Sequence, residues 1–522
     1  MGVKVLFLYP NTFGMNMLPP AIALFSAILK ARGHQVDLFD ATYYQTDHGI
    51  DSDGTKAGRL NVVPFSSNDK GIKMLNTDWR ADVREKVQFF EPDLIALSTT
   101  EDMWLLGMRM LEEVQDSINY NKIPVIAGGV FPTFAPEIVI RHRLIDMVCI
   151  GEGENSLIDL CERIEKGNSW NDVTNIWVKQ KNGSIIKNPI SEPFEINDIP
   201  ILDIDLFEER RLYRPMAGKW HKMMPVETIR GCPYKCTFCN SPDQITLYNK
   251  ETESKFFRKK NIELVHKELK YFKENHGVEY NYFWADTFLS WNEREFDEFC
   301  DMYSDIRLPF WMQTRPETIT EYKVKRLADV GLHRISFGIE HGNEGFRKKL
   351  LKREWKNGPI IDALKIPVRY GVPFSVNNIT GFPTETRELA MDTVELNRHI
   401  DSNNQNLYSF VPFHGTPLRK ICEDMELINP DTITKALTDK PMLIQKQYLP
   451  EEIEGLQKCF VLYVKLPKNR WKDIKRAESN TPEGEKIFEE LKQEYTEKCF
   501  STETSVKDAS HNSPDLEYGL EI

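Results

Sequence analysis

Gly231-Cys232-Pro233-Tyr234-Lys235-Cys236-Thr237-Phe238-Cys239 decides how this chain of 522 residues is read. Three of its nine cysteines fall within these few positions, in the spacing C-x-x-x-C-x-x-C. Three thiolates from one tight loop can hold three irons of a 4Fe-4S cube and leave the fourth iron open. A structural zinc site asks for four ligands, usually in paired C-x-x-C spacing, and no second pair occurs. Cys149, Cys161, Cys300, Cys422 and Cys459 sit in apolar or helical contexts, and Cys499 adjoins a polar tail. None of these six reads as a ligand.

The surrounding composition is globular: 41% hydrophobic, 28% charged. Lys plus Arg total 67 against 79 Asp plus Glu, a net charge of −12. So acidic a chain is a poor partner for nucleic acid, which needs a basic face. No apolar run approaches the roughly 18 residues of a membrane span. Met1-Gly2-Val3-Lys4 enters a strand-like run without a small-residue cleavage site, so a cytoplasmic protein is expected.

Upstream of the cysteines, short apolar runs alternate with helical periodicity. Strands are expected at Val3 to Leu8, Val36 to Phe39, Leu94 to Ser98, Pro124 to Ala127 and Met147 to Ile150, with helices at Pro19 to Arg32 and Met103 to Val114. This is the signature of an α/β, doubly wound parallel sheet. Residues 44–75, polar and glycine-rich, read as an insertion or long loop. Ligands of such sheets lie across the carboxyl ends of the strands. Those ends carry Tyr9-Pro10, Ser98-Thr99-Thr100, Gly128-Gly129 and Gly151-Glu152-Gly153-Glu154. Each alone could be an ordinary tight turn; together they mark a ligand edge, where a Cβ at Gly129 would push a bulky ligand off the backbone.

The cysteine loop, the aromatic Phe238 just before its last cysteine and the strand expected at Val226 to Arg230 resemble the radical S-adenosylmethionine (radical SAM) superfamily. That resemblance implies a partial (β/α)6 barrel and an open iron chelated by S-adenosylmethionine. Further strands are expected at Tyr280 to Ala285, Pro309 to Gln313, Arg334 to Ile339, Pro373 to Ile379 and Leu407 to Val411, with helices between them. It also implies roles at the strand ends. Ala285 and Asp286 stand where the family holds the methionine amino group. Glu340, in Gly338-Ile339-Glu340-His341-Gly342, stands where it reaches the ribose or methionine end. Arg353 stands where a basic residue meets the methionine carboxylate. Gly381-Phe382-Pro383-Thr384-Glu385-Thr386 follows strand five near the adenine. On the residues alone, Glu340 could equally be a barrel salt-bridge partner, Arg353 a solvated helix charge, and His341 and His414 packing residues.

A doubly wound domain before such a barrel resembles the cobalamin-binding branch, the group that includes the anaerobic magnesium-protoporphyrin IX monomethyl ester cyclase and hopanoid methylases. Gly33-His34-x-Val36, Gly128-Gly129-x-x-Pro132 and Asn197-Asp198-Ile199-Pro200 support it. The implied organisation is a cobalamin-binding domain at 1–180, a linker at 181–222, the radical SAM barrel at 223–420, a C-terminal helical cap at 421–500 and a disordered acidic tail at 501–522. Many cobalamin proteins ligate cobalt through the His of D-x-H-x-x-G. None of the eleven histidines, His48 and His142 included, sits in that pattern, so a lower face without histidine is expected; a fold that binds no cobalamin is the other reading.

The implied cofactors are a 4Fe-4S cluster, S-adenosyl-L-methionine and cobalamin. The implied reaction is methylation of an unactivated carbon, with oxidation or ring formation as the alternative. The implied partners are a small-molecule, lipid or tetrapyrrole substrate and an electron donor such as flavodoxin or ferredoxin. A methylthiotransferase acting on tRNA would carry a second cysteine triad, yet no cysteine precedes Cys149.

Overall fold

The computed structural model describes residues 2–14, 17–46, 52–62, 70, 72–402 and 404–500. The tail at 501–522 and His48 lie outside the described residues.

Two seven-stranded sheets organise the chain. The first contains β1 (Lys4–Tyr9), β2 (Gln35–Asp40), β3 (Leu94–Ser98), β4 (Val125–Gly128), β5 (Met147–Cys149), β6 (Ile176–Lys179) and β7 (Ile185–Lys187). Its order is β2-β1-β3-β4-β5-β6-β7, parallel through β5. The last two strands add antiparallel to its edge, a hairpin that the parallel pattern did not announce. The sheet reaches Lys187, beyond the expected boundary at 180. Its strands read as continuous apolar runs because both faces are covered. Val5 and Phe7 meet the helix Pro20–Lys30 through Ile22, Ile28 and Leu29. Leu6 and Leu8 join Trp79, Val83 and Val87 of the helix Trp79–Phe90 on the other face.

The second sheet begins with β8 (Tyr213–Met216), antiparallel to β9 (Lys219–Glu227). A separate ribbon, β10 (Ile229–Arg230) with β11 (Arg258–Lys259), follows. Five more strands complete the second sheet: β12 (Tyr280–Trp284), β13 (Phe310–Thr314), β14 (Leu332–Glu340), β15 (Phe374–Thr380) and β16 (Asn404–Ser409). From β9 to β16 every pairing is parallel, an open half-barrel of six strands with crossover helices outside. The expected first strand at Val226 to Arg230 is therefore divided. The barrel strand ends at Glu227, and Ile229–Arg230 turns away, fixed by the Arg230 ion pairs described below.

Outward-facing Phe283 and Phe310 enter a ring cluster with Phe288 of the loop after β12 and with Phe299 and Tyr303 of the helix Glu293–Ile306. The Phe283–Phe299 and Phe283–Phe310 centroids are each 5.3 Å apart and near perpendicular, the edge-to-face geometry that aromatic quadrupoles favour.

Beyond the barrel, the helix Pro450–Lys465 packs along β16 and the helix Arg387–Arg398, burying Ile453, Leu456 and Phe460 against Ala390, Val394 and Leu407. It flanks the sixth strand, and Ile453 at its start reaches Gly381 just past the end of β15. The segment before it runs past the strand ends: the Gln445 amide donates to the Phe382 carbonyl at 2.9 Å, and the Thr434 amide to Glu101 at 2.9 Å. The insertion at 44–75 is not loop throughout. It holds the helix Ser52–Gly58, and Asn61 beyond it donates to the Gln405 carbonyl of β16 at 2.9 Å. No helix of the described residues is long and apolar enough to cross a membrane.

Phe283 is fully buried at the centre of the ring cluster. Phe283→Ala is expected to cost about 3–5 kcal/mol of barrel stability. Chemical denaturation followed by near-ultraviolet circular dichroism measures it; a loss under about 1 kcal/mol would show that the cluster does not carry the packing.

Candidate active site

Both sheets direct their strand ends at one cavity of about 440 Å³. From the first sheet it is lined by Ser98, Gly128, Gly129, Gly151, Glu152, Gly153 and Glu154; from the barrel side by Glu227, Arg230, Gly231, Cys239, Ser241, Trp284 and Asp286. Phe7, Leu24, Phe25 and Ile126 make its inner end apolar. Among the described residues no histidine lines it.

The cysteine loop follows β10 directly. Each thiol has a polar neighbour: Cys232 Sγ lies 3.4 Å from Thr287 Oγ1, Arg315 Nη1 donates to Cys236 Sγ at 3.4 Å, and the Ser241 amide donates to Cys239 Sγ at 3.5 Å. Among the described residues no three such side chains converge on a single ion. A cube takes each thiolate on a separate iron, so it does not require that convergence. Burial raises the thiol pKa of all three, Cys239 to about 12. At Cys236 the charges of Arg353 and Arg315 work against burial and favour the thiolate. Thiolate ligands with nearby hydrogen-bond donors and cations are a chemistry that fits an iron–sulfur cluster. Phe238 packs edge-on to Phe382.

Asp286 accepts from Ser241 Oγ at 2.8 Å, and burial holds its carboxyl above the usual range. The Ala285 carbonyl accepts from Gln313 Nε2 at 3.1 Å. Glu340 and Arg353 bind each other: Arg353 Nη1 donates to Glu340 Oε1 at 2.7 Å and Nη2 to the Gly338 carbonyl at 2.8 Å. Both side chains are buried, so the reading of Glu340 as a salt-bridge partner describes the structure, while Arg353 is no solvated helix charge. Glu340 takes φ +72° at a bulge, a conformation that costs a non-glycine residue roughly 1–3 kcal/mol. Its carboxylate folds back over Gly338, where a Cβ would overlap Oε1.

Four expected ligand-edge residues are not brought to the cavity. Tyr9 is enclosed beside Arg211 and Asp40, and burial raises its hydroxyl pKa to about 12. Pro10 packs under Gly107. Thr99 donates to the Thr100 carbonyl, and Thr100 to Asp102. Glu152 lines the cavity but is held by Arg230 and Arg258 and by the Phe194 amide. Those two arginines outweigh burial and keep its carboxyl below the usual range.

The glycines differ in what they require. At Gly129 (φ +124°) a Cβ would overlap the Thr99 carbonyl oxygen, and at Gly151 the Tyr248 hydroxyl. The expectation that Gly129 serves ligand approach therefore gives way to a backbone requirement. At Gly128 a Cβ would meet only Cys149 Cβ, at 3.8 Å, and otherwise project toward the cavity. That glycine edge, beside an apolar recess and without histidine, fits a corrin approached from the backbone.

Several site residues were missed from sequence. Arg315 lies 3.7 Å above the Tyr234 ring, pairs with Glu317 and touches Cys236. It stands one residue past β13, a position the strand-end rule could have flagged. His414, whose role the sequence leaves open, meets Glu101 through Nδ1 at 2.7 Å and through its amide at 3.0 Å, tying the sixth strand's loop to β3's. Nothing local in the sequence signals that pair.

A three-thiol loop at the mouth of a six-stranded parallel half-barrel, opposed by the strand ends of a nucleotide-type sheet, defines a radical enzyme with a cobalamin-type domain. The Radical SAM superfamily model matches residues 226–396, and the B12 binding domain model matches residues 62–160. The chain thus carries a radical SAM domain preceded by a B12-binding domain. An uncharacterized methyltransferase of Pyrococcus horikoshii is 26% identical over 398 residues, 76% of this chain and 83% of the relative. The anaerobic magnesium-protoporphyrin IX monomethyl ester cyclase of Rubrivivax gelatinosus is 23% identical, covering 79% of this chain and 68% of its own length. Among solved structures, the cobalamin-dependent S-adenosylmethionine radical enzyme OxsB superposes with a TM-score of 0.64 at 16% identity, over 98% of this chain and 73% of that one. The methyltransferase TsrM from Kitasatospora setae gives 0.59 at 16%, over 81% and 77%. These likenesses establish the fold. The two domains imply a 4Fe-4S cluster, S-adenosylmethionine and cobalamin as cofactors.

Gly128→Leu should fill the cavity edge without backbone conflict. Cobalamin uptake is expected to fall at least about tenfold while iron content stays at wild type, whereas Cys239→Ala should lose the cluster. Corrin absorbance after gel filtration, with iron and sulfide assays, reads both. Undiminished uptake by Gly128→Leu would remove this cavity as the corrin site.

Proposed function

We propose that this enzyme methylates an unactivated carbon of a small-molecule substrate. The observation that carries the reading is the shared cavity, in which Gly128 and Gly153 of the first sheet face Cys239 and Asp286 of the barrel. When bound, the cluster with S-adenosylmethionine supplies a 5′-deoxyadenosyl radical and methylcobalamin a transferable methyl group.

The chain's own residues hold, orient and shield. Cys232, Cys236 and Cys239 hold the cluster. Ala285 and Asp286 receive the methionine amino group through a backbone carbonyl and a carboxylate already oriented by Ser241. Glu340 and Arg353, paired with each other, meet the ribose and carboxylate ends of the same molecule by exchanging part of that pairing. Phe238 and Phe382 form an apolar wall that keeps water from the reacting atoms. Ser98, Gly128, Gly129, Gly151 and Gly153 form the edge that receives the corrin. Tyr9, Pro10, Thr99 and Thr100 support that edge rather than touch it, and Glu152, which lines it, is held in place by Arg230 and Arg258. With the first sheet ending at Lys187 and the second beginning at Tyr213, we assign 1–187 to the cobalamin domain, 188–212 to the linker, 213–420 to the barrel and 421–500 to the C-terminal helices. The reading places the enzyme in the cytoplasm, with a flavodoxin or ferredoxin as electron donor.

Oxidation or ring formation is the second reading, favoured by the likeness to the porphyrin ester cyclase over 79% of this chain. Product analysis separates the two. Methylation is expected to give S-adenosylhomocysteine and 5′-deoxyadenosine in comparable amounts during substrate turnover. Turnover with 5′-deoxyadenosine and no S-adenosylhomocysteine would favour oxidation instead.

A further inference from the structure

The half-barrel is open between its first and last strands, and its inner wall has a definite polarity. Strand alternation turns Tyr282 of β12 and Trp311 of β13 inward. Their rings stack at 4.1 Å and 9°. Arg214, on the edge strand β8 opposite His221, lies with its guanidinium 4.5 Å from the Tyr282 centroid. Its Nε and Nη1 are buried without a hydrogen-bond partner among the described residues. Stacking on Tyr282 and a hydrogen bond to its hydroxyl hold that guanidinium, while Nε and Nη1 stay unsatisfied.

The opposite edge brings more positive charge. Lys56, in the insertion helix Ser52–Gly58, and Tyr408 of β16 both lie within electrostatic reach of the Tyr282 hydroxyl. Arg59 stands beside Tyr408, with Glu454 as its acidic neighbour. Asn61 anchors this insertion to β16, so Lys56 and Arg59 lie on the β16 side of the opening, and Lys56 and Arg214 both act on Tyr282. A chain of net charge −12 thus gathers three cations at one gap. The wall between is amide-lined: Asn377 donates to Ser336 at 2.8 Å, Asn406 donates to Asn377 at 2.8 Å, and Asn406 Oδ1 has no partner among the described residues.

We infer that the half-barrel binds a substrate bearing an anionic group, a carboxylate or a phosphate monoester, docked on Arg214 and Lys56 at the opening between its first and last strands. The inference rests on the reading of the barrel as the substrate chamber of a radical enzyme. It also sets an orientation. Trp284, which lines the shared cavity beside Asp286, is two residues along β12 from Tyr282, about 7 Å. The reacting carbon therefore sits at least about that far from the anion, toward the strand ends.

The test is isothermal titration calorimetry of the anaerobically reconstituted full chain with inorganic phosphate, with benzoate and with neutral benzamide. Wild type is expected to bind at least one anion saturably and benzamide not at all. Binding of phosphate alone identifies a phosphate monoester as the docked group, and of benzoate alone a carboxylate. Arg214→Gln should weaken the anion at least about tenfold, as loss of a charge-assisted hydrogen bond does, and Lys56→Gln severalfold, with iron content unchanged. Should Arg214→Gln lose its fold by circular dichroism, Lys56→Gln decides alone. No anion binding to wild type, equal binding of benzamide, or wild-type affinity in the folded variants would overturn the inference. Because no turnover is involved, the titration and the S-adenosylhomocysteine measurement fail independently.

Discussion

Arg230 immediately precedes the cysteine loop, and its guanidinium is largely withdrawn from water. It donates to Glu227 at 2.9 and 3.0 Å, to Glu152 at 2.7 Å and to Glu154 at 2.7 Å. Glu152 also receives Arg258 of β11. One cation thereby joins the end of the first barrel strand to the loop after β5. Charges this enclosed are costly unless paired, and breaking one partner of such a group typically costs about 3–5 kcal/mol. Three carboxylates face two arginines. Glu154 relieves the imbalance: burial raises its pKa against the pull of Arg230, so it holds its proton more readily than an ordinary glutamate. The rest of the site follows from this clamp, because it sets the distance between the glycine edge and the thiols.

The same clamp explains what could and could not be read from sequence. The barrel was legible because strand and helix periods alternate locally, and the thiols because their spacing is a local pattern. Glu152 was legible as a member of a glycine-rich strand end, but its role was not. Arg258, the partner that makes it an anchor, is 106 residues away. Arg211 in the expected linker likewise pairs with Asp40 at 2.8 Å, which encloses Tyr9 instead of leaving it to a ligand. Positions set by long-range ion pairs carry no local signature. The antiparallel hairpin β6–β7 escaped for another reason: its strands are only four and three residues long, and no residue of β7 is fully buried.

Glycine gave a second lesson. Four glycines at strand ends looked equivalent, since each relieves the backbone of a Cβ. The structure separates them by what that Cβ would meet: a carbonyl at Gly129, a tyrosine hydroxyl at Gly151, Phe25 and Cys149 at Gly153, and near-open space at Gly128. Only Gly128 can test ligand approach without also testing the fold.

The central claim is that one cavity brings the corrin to the cluster with no histidine beneath the cobalt. Electron paramagnetic resonance of the full chain carrying cob(II)alamin and a reduced cluster tests it most directly. A cobalt spectrum without nitrogen superhyperfine splitting, broadened by magnetic interaction with the reduced cluster, is the predicted result. A resolved nitrogen triplet, or cobalt and cluster spectra that simply add, would contradict the account.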